Sequence, residues 1–268
     1  DTNIVLNLAV ALENAKINSF RFDFSGNGES EGLFQYSNYW TEADDLHAVA
    51  QHFHKSNHVI SAIVGHSKGG DIVLLYASKY RDIKTVVNLS GRYDLKAGIE
   101  ERLKKDYLER IRKDGFIHVK KKSESFDFRV TEESLIDRLD TNIHKACLQI
   151  DKECRVFTIH GSSDEIVPVE VAFEFAKTIS NHKLLVIEGA DHGFSNHQGE
   201  LSSAVVNFIR ETLHQVKGTA SYVSVHATIR IKHILVLYLA VSNQLNIGTT
   251  TNFHSAGSRL FFLFLYEA

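Results

Sequence analysis

Three residues of this 268-residue chain have the types and the order needed to break an acyl bond. Ser67 lies in Gly65-His66-Ser67-Lys68-Gly69, Asp164 in Gly161-Ser162-Ser163-Asp164, and His192 in Gly189-Ala190-Asp191-His192-Gly193. A serine hydroxyl is a weak nucleophile near neutral pH and needs a base within hydrogen-bond reach. That base in turn needs a carboxylate to hold its tautomer and to stabilise the cation it becomes. Such a set transfers an acyl group first to the serine and then to water.

Gly-x-Ser-x-Gly is a weak pattern by itself, and this chain carries it twice, the second copy being Gly28-Glu29-Ser30-Glu31-Gly32. Flanking sequence separates the two. VISAIV, short and β-branched, ends on Gly65 and reads as a buried strand. DIVLLYASKY, with apolar residues at helical spacing on Ile72, Val73, Leu75 and Tyr76, reads as a helix. Ser67 is therefore expected on a tight strand-to-helix turn, where Gly65 and Gly69 leave out side chains that would clash. The helix N-terminus would face the ligand, and the N–H of Lys68 is the assignable oxyanion donor. Around Ser30 no strand ends, no periodic helix begins, and two glutamates would oppose an alkoxide, so Ser30 is set aside.

Asp164 and His192 each follow an apolar strand-like run, VFTIHG and LLVIEG. They come after Ser67, in the chain order that the elbow architecture requires. Glu165 is the substitute acid. His66 and His160 read as wall residues of the same edge, Asp191 as pointing away from its neighbour His192, and Asp71 as a helix-face residue.

The elements that must position these groups alternate. Residues 17–24, 84–91, 154–164 and 183–192 read as strands beside the strand before Ser67. NIVLNLAVALENAK, TEADDLHAVAQHFHKS (with a capping-box-like start at Thr41 and Asp44), PVEVAFEFAKTI (Pro168 in its first turn) and SSAVVNFIRETLHQV read as helices. Strand–helix alternation implies an α/β fold with a mostly parallel sheet covered on both faces. The core is expected over 1–217, with a small helical cap inserted at about 94–152 over the carboxyl edge of the sheet. That insert opens on DLKAGIEERLKKDYLERIRKDG, read as one charged helix, and continues with helical pattern in FDFRVTEESLIDRL. Residues 218–268, with Glu267 as their single acid, change in character and read as an atypical extension outside the fold, ahead of the alternative that their apolar runs add strands to the core.

A net charge of −3, with 43% apolar and 24% charged residues, describes an ordinary globular chain and supports neither nucleic-acid nor anionic-membrane binding. The Lys120-Lys121-Lys122 run reads as a solvated face. IKHILVLYLAV and LFFLFLY are about half the length needed to span a bilayer. Cys147 and Cys154 are too few for a disulfide framework and fit reduced thiols in a cytoplasmic setting. Fifteen His fall into no HExxH or paired Cys/His spacing, so neither metal nor organic cofactor is implied. Gly26-x-Gly28 lacks the following helix and the third glycine of a dinucleotide fingerprint. The chain holds no Met, so sequence upstream of Asp1 is expected.

GHSKGG, HGSSDEIVP and GADHGF, with RFDFSGNGESEG upstream, resemble the α/β-hydrolase superfamily. They are most similar to its branch of cinnamoyl and feruloyl esterases, monoacylglycerol lipases and serine aminopeptidase-like proteins. The likeness covers about residues 1–215. It implies Ser67 as nucleophile, Asp164 as acid and His192 as base, and a small-molecule ester as the substrate. It also implies an earlier strand whose His-Gly loop supplies the second oxyanion donor, expected upstream of Asp1, and without which the sheet would be left with an exposed edge. The same triad would serve a peptidase or a thioesterase, and an idle copy would serve a binding protein. Phe34, Tyr36, Tyr39 and Trp40 are read as core before pocket wall.

Overall fold

The computed structural model describes residues 4–120, 127–220 and 234–239. The chain begins with α1 (Ile4–Asn14), β1 (Asn18–Phe20), α2 (Tyr39–Lys55), β2 (Val59–His66), α3 (Lys68–Tyr80) and β3 (Thr85–Leu89). An insert follows: α4 (Ile99–Leu103), α5 (Tyr107–Asp114), β4 (Phe116–Lys120), β5 (Asp127–Thr131) and α6 (Glu132–Asp140). The chain then returns through α7 (Ile143–Gln149), β6 (Arg155–Gly161), α8 (Glu170–Thr178), β7 (His182–Ile187), α9 (Gln198–Ala220) and β8 (Ile234–Leu239).

The main sheet runs β1-β8-β2-β3-β6-β7, with every pairing parallel. Successive strand residues point to opposite faces, and the core divides accordingly. Ile63, Val86 and Val156 pack with α2, α3, α7 and α8, whereas Ala62, Val64, Val87, Leu89, Phe157 and Ile159 pack with α1 and α9. Both faces are thus apolar, which is why β2, β3 and β6 read as nearly unbroken hydrophobic runs. This is the α/β-hydrolase arrangement, a parallel sheet flanked by helices.

Several local expectations are corrected. The strand read over 17–24 narrows to Asn18–Phe20. Helix α2 starts two residues before Thr41, after Asn38 in the left-handed conformation at φ 66°, with no side-chain cap. The amide of Asn38 is bonded instead to Asp137 Oδ2 of α6 at 3.0 Å, so the insert shapes this turn. Pro168 lies just before Val169, the N-cap of α8, and not inside its first turn.

The charged stretch read as one helix is two, separated at Lys104 with φ 75°. In a single helix Ile99 and Ile111 would point about 120° apart at 100° per residue. The break lets both enter one cluster with Leu103, Ile117, Phe128, Val130 and Leu135. That cluster needs the antiparallel hairpin β4–β5, which the helical reading missed. Its core also takes Tyr36, whose ring stacks on Phe128, so this aromatic is packing material. Helix α7 belongs to the main helical layer, so the cap is confined to residues before 141.

The reading of 218–268 as outside the fold fails for nine residues. Helix α9 continues to Ala220, and β8 is inserted between β1 and β2 with neighbours on both edges. A strand in that position needs a continuous apolar run, and Ile234–Leu239 supplies one. The strand before Ser67, β2, is thus paired on both edges. The rest of that segment, and Lys121 and Lys122 of the lysine run, lie outside the described residues.

Candidate active site

Chain geometry places Ser67 before any partner is considered. It sits between β2 and α3 at φ 56° and ψ −122°, a strained combination for a residue with a side chain. Its N–H is bonded to Leu89 O of β3 at 2.8 Å, and its carbonyl accepts from Gly70 N at 2.9 Å, so backbone bonds on both sides hold the strain in place. Gly65 makes the turn sterically available: a Cβ there would stand 1.9 Å from the carbonyl oxygen of Gly69. The N–H of Lys68 is the first of α3 and belongs to the amides that helix geometry leaves without an intrahelical acceptor.

The neighbouring loops bring the other two side chains to Ser67. His192, in the turn after β7, has Nε2 3.0 Å from Ser67 Oγ. Its Nδ1 lies 2.7 Å from Asp164 Oδ2, in the loop after β6. An ionised carboxylate only accepts, so Nδ1 carries the proton and Nε2 presents its lone pair to the serine hydroxyl. Asp164 Oδ1 takes the amides of Ile166 and Val167 at 2.9 and 2.8 Å. Burial by itself would push this carboxyl up, but donors from His160, His192 and Val167 outweigh it and hold the group well below the usual carboxylate range.

The structure also separates the candidates that sequence left side by side. Glu165 is exposed, whereas Asp164 is buried and bonded to His192. Asp191 turns to the amide of Ser195 at 2.7 Å. Asp71, on the face of α3, is buried and accepts the amide of Arg92 at 2.7 Å, tying the elbow helix to the end of β3. His66 does more than line a wall. It is buried, and its Nε2 donates to the carbonyl of His192 at 2.8 Å, joining the strand that leads to Ser67 to the turn that carries His192. Burial, with His192 alongside, holds its imidazole down at about 3.

Sequence reasoning missed one feature outright. The Lys68 side chain runs inward to Glu42 of α2 at 2.8 Å, with both side chains 1% exposed and the ammonium 5.3 Å from the centre of the Tyr39 ring. The pair clamps the first turn of α3, which holds the candidate oxyanion donor. Helix periodicity gave a faint signal, because Glu42 lies on the same stripe of α2 as Leu46 and Ala50. No group of three or more potential metal ligands, and no helix long and apolar enough to cross a membrane, occurs among the described residues.

Comparison with known proteins adds independent findings. The protein family described as serine aminopeptidase, S33, matches residues 2–142. Est1E from Butyrivibrio proteoclasticus, solved with ferulic acid bound, is 22% identical and superposes with a TM-score of 0.64 over 79% of this chain and 84% of its own. The esterase domain of a Rhodothermus marinus protein is 18% identical with a TM-score of 0.55, over 79% of this chain and 80% of its own. The Paleococcus ferrophilus monoacylglycerol lipase is 18% identical with a TM-score of 0.51, over 71% and 82%. At these identities the likeness concerns the fold. The uncharacterized Saccharomyces cerevisiae protein YDL057W is 24% identical over 200 residues, and the match spans 67% of this chain and 60% of that protein.

Proposed function

The chain belongs to the serine aminopeptidase, S33, family of the α/β-hydrolase superfamily, and from that premise we propose that it is a serine hydrolase of carboxylic esters working through an acyl-enzyme. The observation that carries this reading is the unbroken hydrogen-bond chain from Ser67 Oγ through His192 to Asp164, at 3.0 and 2.7 Å.

In the proposed reaction His192 Nε2 takes the hydroxyl proton as Ser67 Oγ attacks the ester carbonyl. The carbonyl oxygen becomes an oxyanion facing the Lys68 N–H and the positive end of α3. The C–O bond to the alcohol then breaks, and His192 returns its proton to the departing oxygen. Water repeats the sequence: it loses a proton to His192, attacks the acyl carbon, and Ser67 leaves with the proton restored. Asp164 stays ionised throughout and stabilises the imidazolium.

Ester preference is drawn from the esterase and lipase neighbours. Amide hydrolysis is the second reading, because the family that matches is described as serine aminopeptidases. The test is a fluorophosphonate probe followed by a substrate comparison. Labelling at Ser67, with p-nitrophenyl esters turned over well ahead of aminoacyl anilides and acyl-thioesters, is expected. A faster anilide reaction would transfer the assignment to the peptidase reading. Absence of labelling in folded protein would remove both.

A further inference from the structure

Asp164 has a second imidazole beside it. His160, at the penultimate position of β6, is fully buried, and an imidazole in that position must satisfy its polar atoms internally. Its Nε2 lies 2.8 Å from Val167 O and 3.2 Å from Asp164 Oδ2. Both neighbours are acceptors, so Nε2 bears the hydrogen and is shared between them. Oδ2 consequently receives two imidazole N–H groups, from His192 and from His160, while Oδ1 receives two amides.

We propose that His160 is a positioning residue of the hydrolytic site, closing the acid loop back onto β6 and dividing the charge of Asp164 between two imidazoles. The proposal rests on the reading of Ser67, His192 and Asp164 as that site. Two physical consequences follow. The bond to Val167 O anchors the loop whose amides grip Oδ1, so the plane of the carboxylate, and through it the tilt of the His192 ring, is set from the strand. The bond to Oδ2 stabilises the anion and thereby weakens its hold on an imidazolium.

The other charged or titratable groups around this pair are accounted for. His66 of β2 has its ring centroid 4.9 Å from that of His192 and donates to the His192 carbonyl. The Arg92 guanidinium, beyond β3, bonds the Ile166 carbonyl at 2.6 Å. Lys68 of α3 is paired with Glu42, Asp191 faces Ser195, and Glu165 is exposed. None of them donates to Asp164 Oδ2 in place of His160.

The experiment compares His160→Leu and His160→Gln in the full chain, reading kcat and KM for a p-nitrophenyl ester across pH. Leucine removes both hydrogen bonds, and a ring left to tilt should lower kcat by about 10- to 100-fold while leaving KM within about twofold. The acidic limb of the kcat/KM profile should move to higher pH, because a carboxylate relieved of one donor holds the imidazolium more tightly. Glutamine, whose amide donates to both acceptors, should recover most of the rate and the original profile. A folded leucine variant with unchanged kcat and profile, or a glutamine variant no better than leucine, overturns the proposal. An independent readout needs no variant: imidazole ¹⁵N spectra of the native protein must show His160 as the Nε2–H tautomer, and an Nδ1–H tautomer refutes it. Failure of the hydrolase reading is recognised separately, as native protein that neither labels with a fluorophosphonate nor turns over any acyl substrate.

Discussion

The chain writes Gly-x-Ser-x-Gly twice, and the two copies end in unlike structures. At Gly65–Gly69 the pattern spans the end of a buried strand and the first turn of a helix, and the serine hydroxyl meets an imidazole. At Gly28–Gly32 it lies in a run of turns, and Ser30 Oγ donates to its own loop, bonding Asp23 O at 2.6 Å. Asp23 also takes the amide of Glu29 at 3.1 Å, so this segment is a self-satisfied structural loop. Five residues of identical pattern therefore carry no chemistry of their own. What differs is whether a strand and a helix N-terminus hold the hydroxyl out toward another loop.

The comparison is sharpened most by exchanging the two serines for alanine. Ser67→Ala should abolish fluorophosphonate labelling and lower ester turnover by about 10⁴-fold or more. Ser30→Ala should leave turnover within about twofold, since it loses only a loop hydrogen bond. Labelling that persists in Ser67→Ala and vanishes in Ser30→Ala would reverse the assignment.

The glycines come next. A Cβ at Gly65 collides with backbone, the Gly69 carbonyl at 1.9 Å, whereas one at Gly28 meets the Asp23 carboxylate at 2.2 Å, a side chain that can move at the cost of its bond to the Glu29 amide. Gly65→Ala should therefore cost about 3 kcal/mol or more in urea unfolding, and Gly28→Ala about 1–2 kcal/mol, mostly from its φ of 52°. Equal losses at the two positions would show that the elbow is no tighter than the loop.

A further contrast concerns pH. His66 is neutral in the fold until about 3, while the unfolded chain binds a proton near 6.5. The unfolded state thus gains protons first as pH falls, and stability is lost across that window, by about 2–3 kcal/mol at pH 4.5. His182, held at about 4 by burial, adds to the loss, whereas Asp164, also held low, contributes only below its ordinary unfolded value of 3.8. Urea denaturation at pH 7 and pH 4.5 should show a shallower decline in His66→Asn than in the native chain. Identical declines would mean that His66 is not the buried neutral group described.

Much of the site was legible because it depends on local order. The runs VISAIV and DIVLLYASKY announce their periods, and their junction makes the elbow. Asp164 and His192 could be picked out because each follows an apolar strand, and parallel strands deliver their carboxyl ends to one edge. The cap was less legible. Its charged stretch has one apolar residue per turn, a pattern that fits one helix or two, and only the position of the hairpin β4–β5 decides between them.

By itself, then, the sequence determined the alternation of elements, the elbow, and the order in which Ser67, Asp164 and His192 reach the rim, because each of these is set by the run of residues directly before it. Tertiary structure alone decided which buried polar groups pair: Lys68 with Glu42, His66 with the His192 carbonyl, His160 with Asp164 and Val167, and Ile234–Leu239 with strands on both sides. A buried donor must find an acceptor wherever folding places one. Except for the tight turn at His160, those acceptors lie tens to hundreds of residues away, where no periodicity reaches.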